Sequence, residues 1–275
     1  MTNLSIQPSQ LEIQLKPGTN YVQSYIIKNN GDASVTLNTS VDTWLPQGLN
    51  GNIIYLNSPP NLNISLSNSD LKLGQNFILN PNQSKQLVLK IQGDTPGDYY
   101  FTFFVNQDVS SNPSTNSTQL IRLGSHLLIS ISDSELATTN FKINNFKVQN
   151  PFIDCFFSSV KFSGEIQNNS NYFDKIDNTI SISKNNTVIN KLTIFPDNVL
   201  SHHSRTLRCL NDKSPAECQL SKPLWPGIYQ ASIDNTSTSF IVLPYSLLIF
   251  LLLLIITKLL IDKKNNVLWL IQWKT

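Results

Sequence analysis

Apolar and polar residues alternate along the first half of the chain, which is the pattern of β-strands with one buried face. Leu11, Ile13 and Leu15 alternate before the turn KPGT, and a second alternating run begins at Val35 and ends near Trp44. The aromatic segment DYYFTFFV predicts a strand that is buried on both faces or lies at the centre of a sheet. Residues 1–134 are therefore predicted to form an immunoglobulin-like β-sandwich of about seven strands.

The pattern begins again after residue 135. Ile176–Ser183 and Thr187–Phe195 flank Asn185-Asn186 as a predicted hairpin, and IYQASI is the last predicted strand. Two short motifs recur: IKNNG at 27–31 resembles IQNNS at 166–170, and TPGDYYF at 95–101 resembles WPGIYQA at 225–231. Their similar offsets favour two copies of one plan, so residues 135–239 are predicted to form a second sandwich.

A long apolar run follows the second sandwich. Phe240–Thr257 contains no charged residue, and Phe240–Ile261 as a helix would measure about 33 Å, enough to cross a bilayer. A buried core helix is the alternative, but such a helix normally keeps a polar face. The fold class expected is all-β, with two tandem immunoglobulin-like sandwiches and one C-terminal transmembrane α-helix at 240–261. The predicted membrane-anchor residues are Phe240, Leu247, Leu253, Lys258, Ile261, Lys263 and Lys264.

Charge asymmetry around this run predicts its orientation. Lys263, Lys264 and Lys274 follow it, whereas residues 231–239 contain no lysine or arginine. The positive-inside rule places residues 262–275 in the cytoplasm as a short basic tail and residues 1–239 outside the cell. Because MTNLSIQPSQ has no signal-peptide character, we expect either a leader upstream or a tail-anchored protein facing the cytosol, and we prefer the leader.

Composition narrows the class of partner. Charged residues make up only 14% of the chain and the net charge is +2, so nothing indicates a nucleic-acid partner. The expected partners are the lipid bilayer and either cell-wall polymer or other surface proteins.

The runs SIQPSQLEIQLKPG, YIIKNNGDASVTL, FILNPNQSKQLVLKI and TPGDYYFTFFV carry a resemblance to a known fold family. They resemble the pilus-chaperone-like β-sandwich of bacterial envelope proteins. The order of two sandwiches, one membrane helix and a lysine-bearing tail is similar to the WxL-interacting surface proteins of Gram-positive bacteria. This resemblance implies a wall-associated, membrane-anchored protein that binds cell-wall polymer or neighbouring surface proteins.

The chain has three cysteines, Cys155, Cys209 and Cys218. Cys209 and Cys218 bracket a short polar loop, and we predict a disulfide between them in an oxidising compartment. Three unpaired thiols are the alternative. Cys155 is expected to be a buried free thiol or a competing partner.

No catalytic constellation, metal site or cofactor site is predicted. His202 and His203 are adjacent and would point to opposite faces of a strand, and His126 stands alone. Asp174 and Asp177 lie in a turn-like stretch and are interpreted as solvated or capping groups. We therefore expect a protein that is not an enzyme.

Three functions remain open. The first is an anchored binding or scaffolding protein whose loops at 44–76 and 107–118 make contacts, with Trp44 and Tyr55 as candidate exposed aromatics or, alternatively, as core residues. The second is an envelope assembly chaperone that donates an edge strand, for which LLISIS at 127–132 is the candidate. The third is a sugar-binding module, which requires several aromatic residues aligned on one sheet face.

Overall fold

The computed structural model describes residues 3–107, 121–133, 140–156 and 159–272, and it describes side chains of the final helix as far as residue 261. All of the regular elements that the structure describes before position 244 are strands. The strands before position 134 are Leu4–Gln7 (β1), Gln10–Leu15 (β2), Asn20–Asn29 (β3), Val35–Gln47 (β4), Asn52–Tyr55 (β5), Asn63–Leu66 (β6), Phe77–Leu79 (β7), Ser84–Gln92 (β8), Gly97–Gln107 (β9) and Arg122–Ile131 (β10).

These strands form two sheets of an immunoglobulin-like sandwich. One sheet has the order β1-β3-β8-β6, and the other has the order β2-β10-β9-β4-β5, with β7 paired to β4. The aromatic strand β9 lies between β10 and β4, which confirms its predicted central place. The alternating apolar positions of both sheets meet in one core. Its fully buried members include Tyr25, Ile27, Leu37, Leu87, Leu89, Phe101, Phe103, Leu127 and Ile129.

The chain changes sheets near its amino end. β1 pairs antiparallel with β3 in the first sheet, whereas β2 pairs parallel with β10 in the second. The short stretch at Pro8 and Ser9 makes this crossing. Because β2 begins only at Gln10, it covers β10 only from His126 onward.

The strands after position 140 are Phe141–Val148 (β11), Phe152–Asp154 (β12), Val160–Asn168 (β13), Asp174–Lys175 (β14), Thr179–Lys184 (β15), Thr187–Thr193 (β16), Asn198–Val199 (β17), Ser204–Thr206 (β18), Cys209–Asn211 (β19), Ser214–Ala216 (β20), Cys218–Leu220 (β21), Gly227–Ile233 (β22) and Thr236–Leu243 (β23). One sheet has the order β11-β13-β18 with β21 paired to β13, and another has the order β12-β23-β22-β15-β16. The predicted hairpin around Asn185-Asn186 is confirmed as β15 and β16.

The chain divides into two compact units that are not simple halves. The first comprises Met1–Lys142, Gln167–Lys175 and Asn198–Arg205, and the second comprises Ile143–Ile166, Ile176–Asp197 and Thr206–Thr275. Gln167–Lys175, which contains most of the second Asn-rich motif, and Asn198–Arg205 therefore belong to the first unit. The domain boundary predicted between residues 134 and 135 falls on 134–139, outside the described residues.

Both copies of the Asn-rich repeat form the same turn around a fully buried asparagine. Asn29 Nδ2 donates to Ala33 O at 2.8 Å and to Leu79 O at 3.1 Å, and its Oδ1 accepts from Gly31 N at 3.0 Å. In the second copy, Asn168 Nδ2 donates to the carbonyls of Tyr172 and Val199 at 2.8 and 2.9 Å. Its Oδ1 accepts from Ser170 N at 2.9 Å. In both copies one amide side chain satisfies three backbone groups.

Both copies of the Pro-Gly repeat also share one contact. The hydroxyl of Tyr99 donates to Thr95 O at 2.9 Å, and that of Tyr229 donates to Trp225 O at 2.6 Å. In each case the tyrosine hydroxyl is hydrogen-bonded to the first residue of the turn that precedes its own strand. The repetition predicted from the sequence is therefore present in the structure as two repeated features: the turn around a buried asparagine and the tyrosine contact at the Pro-Gly turn.

The second unit has an aromatic core. The Tyr229 and Phe240 rings stack at 5.4 Å, and Phe162 meets Phe240 edge-on at 6.1 Å. Phe240 is only 1% exposed and lies within β23. This corrects the predicted start of the span at Phe240, because the sandwich retains that ring and its strand through Leu243.

The helix Tyr245–Gln272 (α1) follows β23 after Pro244. Within the part of the chain whose side chains the structure describes, which ends inside α1 at Ile261, no helix is both long enough and apolar enough to cross a membrane.

Candidate functional site

The outer face of the second sheet of the first sandwich collects the polar and aromatic side chains of β4, β9 and β10. Their register places Asn38, Asn106 and Arg122 in one cross-strand row. The next row consists of Ser40, Phe104 and Gly124, and the third consists of Asp42, Thr102 and His126. The period of two along each strand puts these residues on one face and the core residues on the other.

Arg122 is held firmly at one end of this face. Its guanidinium carbon lies 3.4 Å from the centroid of the Phe104 ring, and its Nε donates to Asn106 Oδ1 at 3.0 Å. The guanidinium also forms an ion pair with Asp42. Asn106 Nδ2 in turn donates hydrogen bonds to Asn38 Oδ1 and Ser40 Oγ. Arg122 is therefore part of a connected polar network.

Strand β10 has an open edge over its first four residues, Arg122–Ser125. β9 pairs with the whole of β10, but β2 pairs only from His126. The N–H of His126 donates to Ser9 O, on the β2 side, while Ile121 O accepts from Gln107 N, on the β9 side. Because alternate residues of a strand point their backbone groups to opposite edges, Arg122 and Gly124 direct theirs away from β9. No strand among the described residues pairs with that side.

Gly124 shapes the middle of this open edge. A Cβ atom there would lie 2.6 Å from Thr102 Cγ2 and 3.0 Å from Phe104 Cε1. Glycine lets both neighbouring side chains lie directly against the strand backbone.

The sequence-predicted contact residues Trp44 and Tyr55 are adjacent, but they do not form an exposed platform. Trp44 pairs with Tyr55 across β4 and β5, stacks on Tyr100 at 5.2 Å and is only 5% exposed. This corrects its interpretation as an exposed contact, because Phe173 and Leu200 pack in the same cluster and cover it. Tyr55 is half-buried against the Phe104 ring.

His126 lies on the same face of the sheet, where its side chain is hydrogen-bonded. Its Nδ1 lies 2.8 Å from Thr102 Oγ1, and its ring meets Trp44 edge-on. Burial lowers the pKa of its imidazole, because the charged form loses solvation.

A half-buried carboxylate, Asp98, lies at the start of β9. It accepts bonds from Tyr100 Oη and Ser130 Oγ, each at 2.5 Å, and from Phe173 N at 2.6 Å. Burial raises the pKa of Asp98, although the three hydrogen bonds act in the opposite direction. Burial and the nearby Asp98 charge raise the pKa of Tyr100. The sequence analysis missed Asp98, whose only signal was its place after a Pro-Gly turn.

The candidate edge LLISIS is not free. Leu127–Ile131 pair with β2 on one side and β9 on the other, and most of these residues are buried. The open stretch lies immediately before this segment. This open stretch could not be predicted from the sequence, because no residue near β10 indicates where β2 begins. Of the predicted contact loops, residues 44–76 contain β5 and β6, while residues 108–118 lie outside the described residues.

Cys209 and Cys218 form a disulfide with an S–S distance of 2.09 Å, and Cys155 is free and half-exposed.

His202 Nε2 contacts Asn171 Oδ1, and His203 Nδ1 contacts Ser201 O. Asp197 is bonded to Arg208. Among the described residues, no group of three or more His, Cys, Asp or Glu side chains could hold a metal ion.

The predicted anchor residues of α1 are exposed as far as the structure describes them. Leu247, Leu253, Lys258 and Ile261 lie on the helix surface, as do the other large apolar residues between 247 and 261. The side chains of Lys263 and Lys264 lie outside the described residues.

Comparisons with known proteins give only remote similarities. No protein-family model matches the chain, and no curated protein does. Among solved structures, it is similar to the class 5 fimbriae chaperone CfaA, with 11% identity, a TM-score of 0.48, and coverage of 88% of this chain and 100% of that chain. It is also similar to the E. coli chaperone DraB, with 11% identity, a TM-score of 0.40, and coverage of 87% and 95%. A third is the SafB chaperone, solved with the Salmonella enterica SafA pilin, with 10% identity, a TM-score of 0.41, and coverage of 88% and 97%. The immunoglobulin-like fold class rests on the chain's own sheets.

Proposed function

We propose that this protein is a membrane-anchored binding protein of the cell surface that takes an extended segment of a partner protein at the open edge of β10. The observation that carries the proposal is that, among the described strands, only β9 pairs with Arg122–Ser125. An added strand gains main-chain hydrogen bonds from such an edge and specificity from the flanking side chains.

The side chains at this edge fit an added strand. Leu123 is in register with the fully buried Val105, yet it remains half-exposed itself. An apolar side chain of an incoming strand would therefore bury Leu123. On the outer face, Arg122 supplies a fixed guanidinium that an acidic or carbonyl group of the partner could reach.

The proposed anchor is α1. Its 28 residues would measure about 42 Å as an ideal helix, longer than a hydrocarbon core of about 30 Å. Large apolar side chains that are exposed around a helix favour lipid rather than water as the surrounding solvent. With the lysine-bearing tail in the cytoplasm, both sandwiches would lie outside the cell. This arrangement matches the resemblance to WxL-interacting proteins, whose expected partners are surface proteins or cell-wall polymer.

A second candidate function uses the same edge. An envelope assembly chaperone would lend the open stretch of β10 to an unfolded subunit rather than receive a segment of a folded partner. The favouring observation is again Arg122–Ser125. The state of the captured protein separates the two functions. Neither reading includes an enzymatic activity or a cofactor.

Substitutions of Arg122 test the edge. The N–H of Arg122 points away from β9, so Arg122→Pro removes a donor for the partner strand without removing a bond to β9. Arg122→Ala is the matched control, since it removes the guanidinium and keeps the N–H. Full-length protein in detergent would be incubated with envelope protein extract and, separately, with washed cell wall. We expect Arg122→Ala to retain much more of the partner than Arg122→Pro.

Hydrogen exchange with the recovered partner gives the sharper result. Binding should slow exchange of the Arg122 and Gly124 amides, while the Leu123 and Ser125 amides, which face β9, serve as internal controls. Equal capture by both variants, or retention on washed wall without a protein partner, would contradict strand addition. Capture of unfolded subunits alone would favour the chaperone.

The anchor is tested separately. Full-length protein in membranes should resist extraction by alkaline carbonate, and protease added to intact cells should remove the sandwiches. Release by carbonate would contradict anchoring.

A further inference from the structure

The second unit exposes an apolar surface beside the start of α1. We name it the juxtahelical surface and define it by Phe152, Phe156, Trp225, Ile228 and Leu243. Trp225 is 83% exposed, Ile228 67% and Phe152 65%. Exposed aromatic and branched residues on this scale are costly in water unless another phase or partner covers them.

Strand register places this surface next to the helix. Phe152, Ile241 and Ile228 lie in one row across β12, β23 and β22. Ile241 precedes Tyr245, where α1 begins, by four residues, so the row lies within about 13 Å of the helix start along the chain. Trp225 precedes Gly227, which pairs with Val242, and Leu243 ends β23.

Asp154 joins the sandwich to the helix. This carboxylate is 1% exposed; its Oδ2 accepts from Ser246 N at 2.8 Å and its Oδ1 from Phe156 N at 2.8 Å. In addition, Cys155 N donates to Leu243 O at 3.2 Å. An acidic group at a helix N-terminus satisfies a free amide and complements the helix dipole. The first turn of α1 is therefore fixed to β12, and the juxtahelical surface keeps its orientation relative to the helix.

The first copy of the repeat shows what this position looks like when protein covers it. Ile228 corresponds to Asp98, which is half-buried and accepts three hydrogen bonds. Trp225 corresponds to Thr95. In the copy next to the helix, the residue equivalent to Asp98 is the apolar Ile228, which is 67% exposed.

We propose that the juxtahelical surface lies in the headgroup region of the bilayer and sets the orientation of the second sandwich on the membrane. This inference rests on the proposed anchoring by α1. Tryptophan and phenylalanine are enriched at this depth. Continuity with the exposed apolar helix selects lipid as the occupant. Lys184, whose Nζ donates to Pro226 O at 2.9 Å, and the exposed Lys222 border the surface and suit anionic headgroups.

Tryptophan fluorescence of the full-length protein tests this inference. The protein would carry Trp269→Phe and Trp273→Phe and be reconstituted in phosphatidylcholine–phosphatidylglycerol vesicles with brominated acyl chains. Trp44 is buried, and Trp225→Phe gives its background. The matched control combines Trp225→Phe with Asn235→Trp, which moves the reporter to the turn between β22 and β23, about 26 Å from Leu243 along β23.

We expect brominated lipid to reduce the emission of Trp225 and acrylamide to have little effect on it, with the reverse for the reporter at position 235. Phe152→Ser with Ile228→Ser should increase acrylamide quenching of Trp225 and leave the melting temperature unchanged, since both residues are exposed.

The outcomes are distinguishable. Protein that floats with vesicles but shows Trp225 open to acrylamide and untouched by brominated lipid would overturn this inference and leave anchoring intact. Protection from acrylamide without lipid quenching would assign the surface to a second copy or another protein, which also overturns it. Protein that does not float with vesicles would overturn the anchoring itself.

Discussion

The two copies of the repeat use the same turns but present different surfaces. Asn29 and Asn168 each satisfy three backbone groups, and Tyr99 and Tyr229 each close a Pro-Gly turn. Immediately after that turn, the first copy has the half-buried Asp98 and the second has the exposed Ile228. The hydrogen bonds that stabilise the turns are thus the same in both copies, whereas the residue that follows the Pro-Gly turn differs in polarity and exposure.

The largest expected effect comes from removing either buried asparagine. Asn29→Ala and Asn168→Ala each leave three backbone groups without their partner, which should lower the free energy of unfolding by about 3 kcal/mol. Urea denaturation of each variant measures this loss. Asn169→Ala, at an exposed neighbouring position, should change stability by less than about 0.5 kcal/mol. A large loss for only one asparagine would show that the two turns are not energetically equivalent.

The next effect concerns the disulfide, which the first copy lacks among its described residues. Closing the loop between Cys209 and Cys218 restricts the unfolded chain, so Cys209→Ser with Cys218→Ser should lower the free energy of unfolding by about 2 to 3 kcal/mol. Cys155→Ser is the control, since Cys155 is free. Thermal unfolding with and without reductant checks this, and a wild type insensitive to reductant would contradict it.

Removing the tyrosine hydroxyls should have a smaller effect. Tyr99→Phe and Tyr229→Phe each lose one hydrogen bond to a carbonyl, and each should cost about 1 kcal/mol. Tyr21→Phe, whose hydroxyl contacts only the side chain of Gln23 at 3.2 Å, should cost less. Denaturation midpoints give the comparison. Equal losses for all three variants would mean that the turn contact itself is not stabilising.

The smallest effect is a difference in pH dependence. The carboxyl pKa of Asp98 is raised in the folded state because burial disfavours its charged form, whereas an unfolded aspartate titrates near about 3.9. The stability that this group contributes is present below the unfolded-state pKa and is lost as the pH rises through the folded-state pKa. Wild type should therefore lose stability relative to Asp98→Asn on going from about pH 3 to pH 7. Asp94→Asn, at an exposed position, is the control, and parallel curves for wild type and Asp98→Asn would contradict this account.

Strand periodicity was enough to predict the all-β class, the central place of β9 and the hairpin at Asn185-Asn186. Short motif matches were enough to pair Asn29 with Asn168 and Tyr99 with Tyr229, because those turns depend on residues close together in sequence. The edge in LLISIS was wrong because edge status depends on where β2 begins, more than 100 residues away along the chain.

The sequence by itself determined the β-strand character of the chain, the repeated turns and the apolar run that continues from β23 into α1. Each follows from local backbone chemistry or from side-chain periodicity. Tertiary structure alone decided that Trp44 is covered, that Phe240 belongs to a core, that Arg122–Ser125 are left open and that Asp154 caps α1. These outcomes depend on which distant segments meet, and the alternation of residues along one strand carries no information about its neighbours.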